Sequence, residues 1–189
     1  MIAVDTNILV WGVRKAEDET RPDIVERCVH LIDDYKQRKI VIMIPSPVLG
    51  EFLIGYTIEQ QREVLSLLTK AFFIAPFDFQ AAAVAAELYS KAQFDQIREQ
   101  EPIPRQCLKV DYMVAATAIR HGATTLFVND GHFKTIAAGR IIVSDIPQLR
   151  NVAASTDGEL ERPAEAPAGR QRQTTLENFG DPESATGGS

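Results

Sequence analysis

The chain has 189 residues, 45% of them apolar, and a net charge of −6. It is long enough to bury one core unaided. Two cysteines, Cys28 and Cys107, with no CxxC and no Cys/His ligand spacing, exclude a disulfide framework and a thiolate metal site, and they fit a reducing cytoplasm.

The charge neither requires nor forbids an anionic partner: acids outnumber bases from Asn151 onward, while the stretch before it is close to balanced. The apolar opening Met1–Val4 stops at Asp5 with no basic flank and is far too short to span a bilayer. A cytoplasmic location without membrane association is therefore expected.

In chain order, short runs rich in Val, Ile or Phe predict strands at Ile2–Val4, Ile40–Ile44, Phe72–Ala75, Thr125–Val128 and Ile141–Val143. Helical stretches lie between them. Pro22 opens one that runs to about Gln37. Ser46 is the expected N-cap of a second, with Pro47 at its first position, continuing through Glu51 to about Ile54. Glu59–Lys70 follows, then one long helix over Gln80–Gln100, Ala-rich and free of Gly and Pro. Pro102 and Pro104 punctuate the chain before Lys109–His121, which stops at Gly122.

Five strands separated by helices predict an α/β fold: an open parallel five-stranded sheet over residues 1–150 with helices on both faces. Ligands of such sheets sit outside the carboxyl ends of the strands. After Arg150 the composition turns to Ala, Gly, Pro, Ser, Thr and Glu, so residues 151–189 are expected to form a disordered C-terminal tail.

Four acids stand out. Asp5 follows the first strand directly, and Asp130 follows the fourth in Val128-Asn129-Asp130-Gly131-His132-Phe133. Either one alone reads equally well as a helix N-cap. Glu51 lies in Val48-Leu49-Gly50-Glu51-Phe52-Leu53-Ile54, and Asp111 in Val110-Asp111-Tyr112-Met113-Val114. An acid amid such neighbours needs a base, hydrogen bonds or a metal. Lys109 and Arg105 offer Asp111 a salt bridge; Glu51 has no base nearby in sequence.

Carboxylates gathered at one sheet edge repel one another unless a hard cation neutralises them, and oxygen ligands select magnesium or manganese. Such a site can activate water against a phosphodiester and stabilise the leaving oxygen, with no nucleophilic side chain. None is evident: there is no GxSxG and no Walker loop, and His30, His121 and His132 sit in separate segments.

Val4-Asp5-Thr6-Asn7, Glu51 on the second apolar helix, Asp111 in Val-Asp-Tyr-Met-Val-Ala-Ala-Thr-Ala, and Phe127-Val128-Asn129-Asp130-Gly131-His132-Phe133 together resemble a PIN domain. They are similar, more narrowly, to the VapC-type toxins of prokaryotic toxin–antitoxin pairs. The likeness covers about Met1–Arg150. It implies a parallel sheet, a Mg2+- or Mn2+-dependent endoribonuclease acting on RNA, homodimerisation and neutralisation by a cognate antitoxin.

On that pattern Asp5, Glu51, Asp111 and Asp130 are the catalytic and metal-holding acids. Thr6 or Asn7 orients Asp5 or a bound water, and Asn129 contacts substrate or water. Two positions depart from the pattern: Val128 stands where the family often has Thr, and His132 where it often has another acid. The first would loosen the hydrogen bonding behind Asp130. The second leaves the site one carboxylate poorer and reads as a surface histidine, with a phosphate contact as the alternative. Arg14, Lys15, Arg105 and Lys109 are candidate phosphate binders, of which Arg14 and Lys109 are the preferred pair. Trp11 reads as core or interface rather than a stacking platform.

In the tail, Gln173-Thr174-Thr175-Leu176-Glu177-Asn178-Phe179 resembles the peptide that docks on sliding clamps, with Gln173, Leu176 and Phe179 as anchors and Gly180 in place of a second aromatic. The same residues could instead meet an antitoxin. Two other classes remain open: a PIN-like adaptor recruited through this tail, and a haloacid-dehalogenase-like phosphatase. The phosphatase needs an acid where Asn7 stands.

Overall fold

The computed structural model describes residues 1–101 and 103–149. The tail over residues 151–189, with the docking motif expected at 173–179, lies outside the described residues. The elements are β1 (Ile2–Val4), α1 (Thr6–Gly12), α2 (Ile24–Gln37), β2 (Ile42–Pro45), α3 (Ser46–Ile54), α4 (Ile58–Ala71), β3 (Phe73–Ala75), α5 (Phe79–Leu88), α6 (Lys91–Gln100), α7 (Arg105–Arg120), β4 (Thr125–Val128), α8 (Phe133–Ala137) and β5 (Ile142–Asp145).

All five strands pair in parallel, in the order β3-β2-β1-β4-β5. From β1 the chain steps outward through β2 to β3, then returns across the sheet to β4 and steps the other way to β5. Right-handed crossovers in opposite directions put their helices on opposite faces. The burial agrees: every residue of β1 and β2 is buried, as expected of strands covered on both sides. The order reverses between β1 and β4, so their carboxyl ends flank the crevice where open α/β sheets take their ligands.

The ends of β2, β3, β5, α2 and α4 shift by one or two residues from expectation, and three further departures have a visible reason. The single helix expected over Gln80–Gln100 is two, α5 and α6, broken where Tyr89 and Ser90 adopt extended backbone. The break lets the Tyr89 ring pack against Phe94 and Tyr112, with centroids 5.5 and 5.8 Å away. Ser46 does not cap α3; its hydroxyl accepts from the N–H of Phe77 at 2.8 Å, stitching the start of α3 to the segment after β3. Helix α7 begins at Arg105, one turn earlier than expected, directly after Pro104.

The other caps follow their chemistry. Thr57 and Gln60 form a reciprocal capping box on α4. Asp78 accepts from Ala81 N–H at the head of α5. Gly122, at φ +74°, supplies the left-handed residue that ends α7.

Candidate active site

Asp5 leaves β1 at the crevice and caps α1, so the N-cap and the site readings of this residue hold together. Its Oδ1 accepts from Ile8 N–H at 3.1 Å and its Oδ2 from Asn129 N–H at 3.0 Å, while its own N–H donates to Phe127 O. The side chain thus clamps the end of β1 to the end of β4. Asp5 is only 4% exposed. Burial pushes its pKa up from 3.8 to about 7, against the two backbone hydrogen bonds, and the negative charges of Asp130 and Asp111 raise it further.

Beside it opens a cleft of about 420 Å³ whose walls include Asp5, Glu51, Asp111 and Asp130, together with Thr6 and Asn7. Four acids from four separate segments, expected from sequence to converge, line one cavity. Among the described residues, none of Asp5, Glu51 or Asp130 is paired with a lysine or arginine. The salt bridge considered for Asp111 with Lys109 or Arg105 is likewise not formed; its partner is His132.

The hydrogen bonds within the cleft differ in detail from expectation. Thr6 Oγ1 donates to Oε2 of Glu51 at 2.5 Å, and Asn7 Nδ2 reaches Oδ2 of Asp130 at 3.5 Å. Both side chains therefore serve the neighbouring acids, and backbone amides orient Asp5. Glu51 is exposed along the cleft wall, although apolar residues surround it in sequence. Val128, in place of the family's Thr, is fully buried, and Asp130 takes its hydrogen bonds from Asn7 and from Asn129 Nδ2 at 3.3 Å.

His132 is neither a surface histidine nor free to meet a phosphate. It is 8% exposed and lies between two carboxylates: Nε2 is 3.0 Å from Oδ2 of Asp111, and Nδ1 is 3.1 Å from Oε2 of Glu101. Burial opposes its charged form, but the bonds to Asp111 and Glu101 outweigh that and raise its pKa above 6.5. Glu101, which also lines the cleft, was not singled out from sequence. It follows α6, and only the fold brings it to His132.

Arg21 is a second residue that sequence reasoning passed over. Its Nη1 donates to Oδ1 of Asn129 at 2.6 Å, its other nitrogens grip Asp18, and its guanidinium lies 4.5 Å above the ring of buried Trp11. Asn129 is thereby fixed between Arg21 and Asp130. Arg14, Lys15, Arg105 and Lys109 are exposed and lie outside the cleft lining; Arg14 stands 5.9 Å over the Tyr56 ring and Arg105 5.8 Å over that of Phe94.

The donor set suits a hard divalent cation: carboxylate oxygens in a cleft, with no lysine or arginine on its walls and His132 on one of them, Asp111. The ligand shell is not assembled in advance. Among the described residues, no three His, Cys, Asp or Glu side chains stand close enough together to hold an ion.

A parallel α/β sheet with a carboxylate cleft at its switch point is the architecture of a PIN domain, and the chain belongs to that family: the PIN domain family model matches residues 2–139. Two solved structures share the fold. A chain of VapBC2 from Rickettsia felis, bound to a DNA fragment from their promoter, is 24% identical with a TM-score of 0.53, covering 77% of this chain and 98% of that one. A chain of DNA-bound VapBC from Salmonella typhimurium is 19% identical with a TM-score of 0.52, covering 78% and 100%. No curated protein matches the chain. Among the described residues, no helix is long and apolar enough to cross a membrane.

Proposed function

We propose that the protein is a Mg2+- or Mn2+-dependent endoribonuclease of VapC type, the toxin of a toxin–antitoxin pair. The observation that carries the reading is the meeting of Asp5, Glu51, Asp111 and Asp130 in one cleft without a lysine or arginine to offset them. Membership of the PIN family supports a nuclease. The VapBC assemblies that share the fold support a cognate antitoxin as partner, with homodimerisation as the family's usual state.

In this reading the four acids hold the cation, Asp5 as the rigid member because two backbone amides fix both of its oxygens. When bound, a divalent cation supplies Lewis-acid polarisation of a water and of the phosphodiester. The chain's own residues do the rest. Thr6 and Asn7 set the directions of Glu51 and Asp130, and they present polar side chains where an RNA strand enters. Asn129, held by Arg21, is placed to contact substrate or water. Arg14 and Lys109 would meet phosphates flanking the cut. A shallow cleft suits single-stranded or looped RNA better than an intact duplex.

The test is RNA cleavage by the purified chain, freed of any partner, with Mg2+, Mn2+ or EDTA. Wild type is compared with Asp5→Asn and Asp111→Asn. Activity that needs the cation and disappears in both variants supports the reading. Equal cleavage by all three proteins would end it. A folded wild type that neither binds Mn2+ nor cuts RNA would favour an adaptor, recruited through Gln173, Leu176 and Phe179 to a sliding clamp or another partner.

A further inference from the structure

His132 lines the cleft, and the four-acid reading does not use its placement. Its ring is stacked on the buried Phe133, with centroids 5.2 Å apart and planes inclined by 21°, so it is held on one face as well as at both nitrogens. One nitrogen takes Oδ2 of Asp111 and the other Oε2 of Glu101.

Asp111 projects from the middle of α7 with its side chain 22% exposed. Such a carboxylate has two torsions to rotate about, and only one of its oxygens is tied down. Its Oδ1 has no hydrogen-bond partner among the described residues, so the oxygen left to the cleft is fixed in direction by the bond on the other. Outer partners of this kind orient ligating carboxylates and tune cation affinity.

We propose that His132 is a positioning residue that sets Asp111 for cation binding, with Glu101 holding the far side of the ring. The inference rests on the cation reading of the cleft and assigns to it two residues beyond the four acids. His132 acts through a donated hydrogen bond to Asp111, and the Glu101 bond keeps the ring from turning away.

The experiment is calorimetric titration of Mn2+ into the full-length chain stripped with EDTA, each variant being checked by circular dichroism to be folded at the working temperature. His132→Ala is expected to weaken Mn2+ binding by about 10- to 100-fold, the usual cost of losing an outer partner. His132→Gln, whose side-chain amide can still donate to Asp111, recovers most of the loss, and Glu101→Gln shows a smaller one. Unchanged or tighter binding in His132→Ala overturns the proposal, tighter binding marking the ring as a competitor of the cation. A His132→Gln variant as weak as His132→Ala overturns it too. Should His132→Ala not fold, the Gln variants decide: near-wild-type affinity with His132→Gln and a small loss with Glu101→Gln support the proposal, and a large loss with His132→Gln overturns it. A wild type that binds no Mn2+ removes the cation reading itself, whereas a wild type that binds beside an unaffected His132→Ala removes only the role of the histidine.

Discussion

The backbone N–H of Asn129 donates to Oδ2 of Asp5 at 3.0 Å, across a separation of 124 positions in the chain. One bond therefore closes the strand pair β1–β4, fixes one oxygen of the most buried acid, and sets the residue that precedes Asp130. Fold and cleft share this contact, so changes at Asp5 act on both.

Asp5 gives the cation-free protein a defined pH dependence. Its pKa, about 7 when folded against 3.8 ordinarily, means the folded state keeps a proton that the unfolded chain has released between those values. Stability then falls as pH rises through that window. The raised pKa of His132 acts with the same sign above 6.5. Melting midpoints in EDTA should decline from pH 5 to pH 8, and Asp5→Asn should flatten most of the slope below pH 7. A wild-type profile flat over this range would contradict the environment described for Asp5.

Cation binding should reverse that penalty. At a Mn2+ concentration near 100 Kd, mass action adds about 2.7 kcal/mol. For a domain of this size that raises the melting point by roughly 5–10 °C. Asp130→Asn should show little of the rise. An equal rise in the variant would mean that Mn2+ binds elsewhere.

The hydroxyl of Tyr112 is buried and has no hydrogen-bond partner among the described residues. Its ring, packed with Phe94 and Tyr89, is what the core uses. Tyr112→Phe keeps the packing and removes an unsatisfied polar group, so it should be neutral or stabilise by up to about 1 kcal/mol in urea unfolding. Destabilisation beyond about 1 kcal/mol would show that the hydroxyl has a partner in solution.

Gly12, the last residue of α1, packs directly against α2. A Cβ there would stand 2.6 Å from Ile32 Cδ1 and 3.2 Å from both Cβ and O of Cys28. Overpacking typically costs about 1–3 kcal/mol, and the better helix propensity of Ala returns up to about 1. Gly12→Ala should therefore lower the urea midpoint while leaving Mn2+ affinity within twofold or so. A more stable variant would mean that α2 can shift outward freely.

The sheet was legible because each strand is a short β-branched or aromatic run with turn or helix signals on both sides; Ile2–Val4 and Thr125–Val128 fall where expected. The break at Tyr89–Ser90 was not legible. No Gly or Pro marks it, and its cause is a ring cluster with Tyr112, which lies on another helix. Asp5 and Asp130 were legible through their strand-end positions, whereas the apolar neighbours that drew notice to Glu51 do not bury it: its side chain is exposed on the cleft wall. Glu101 was not legible, because it sits in an ordinary polar stretch and gains its place only through His132. The histidine carried a faint signal of its own, a polar residue directly before the buried Phe133 beside an acid-bearing turn.

The central place of β1, flanked by β2 and β4, bears on when the molecule becomes competent during synthesis. A growing polypeptide that has passed β3 carries Asp5 and Glu51 but still lacks the strand that completes the crevice and the amide that anchors Asp5. A chain that stops short of Asn129 lacks both the amide that anchors Asp5 and the acid that follows it, Asp130. The complete cleft therefore comes into being only as the last stretch of the domain emerges.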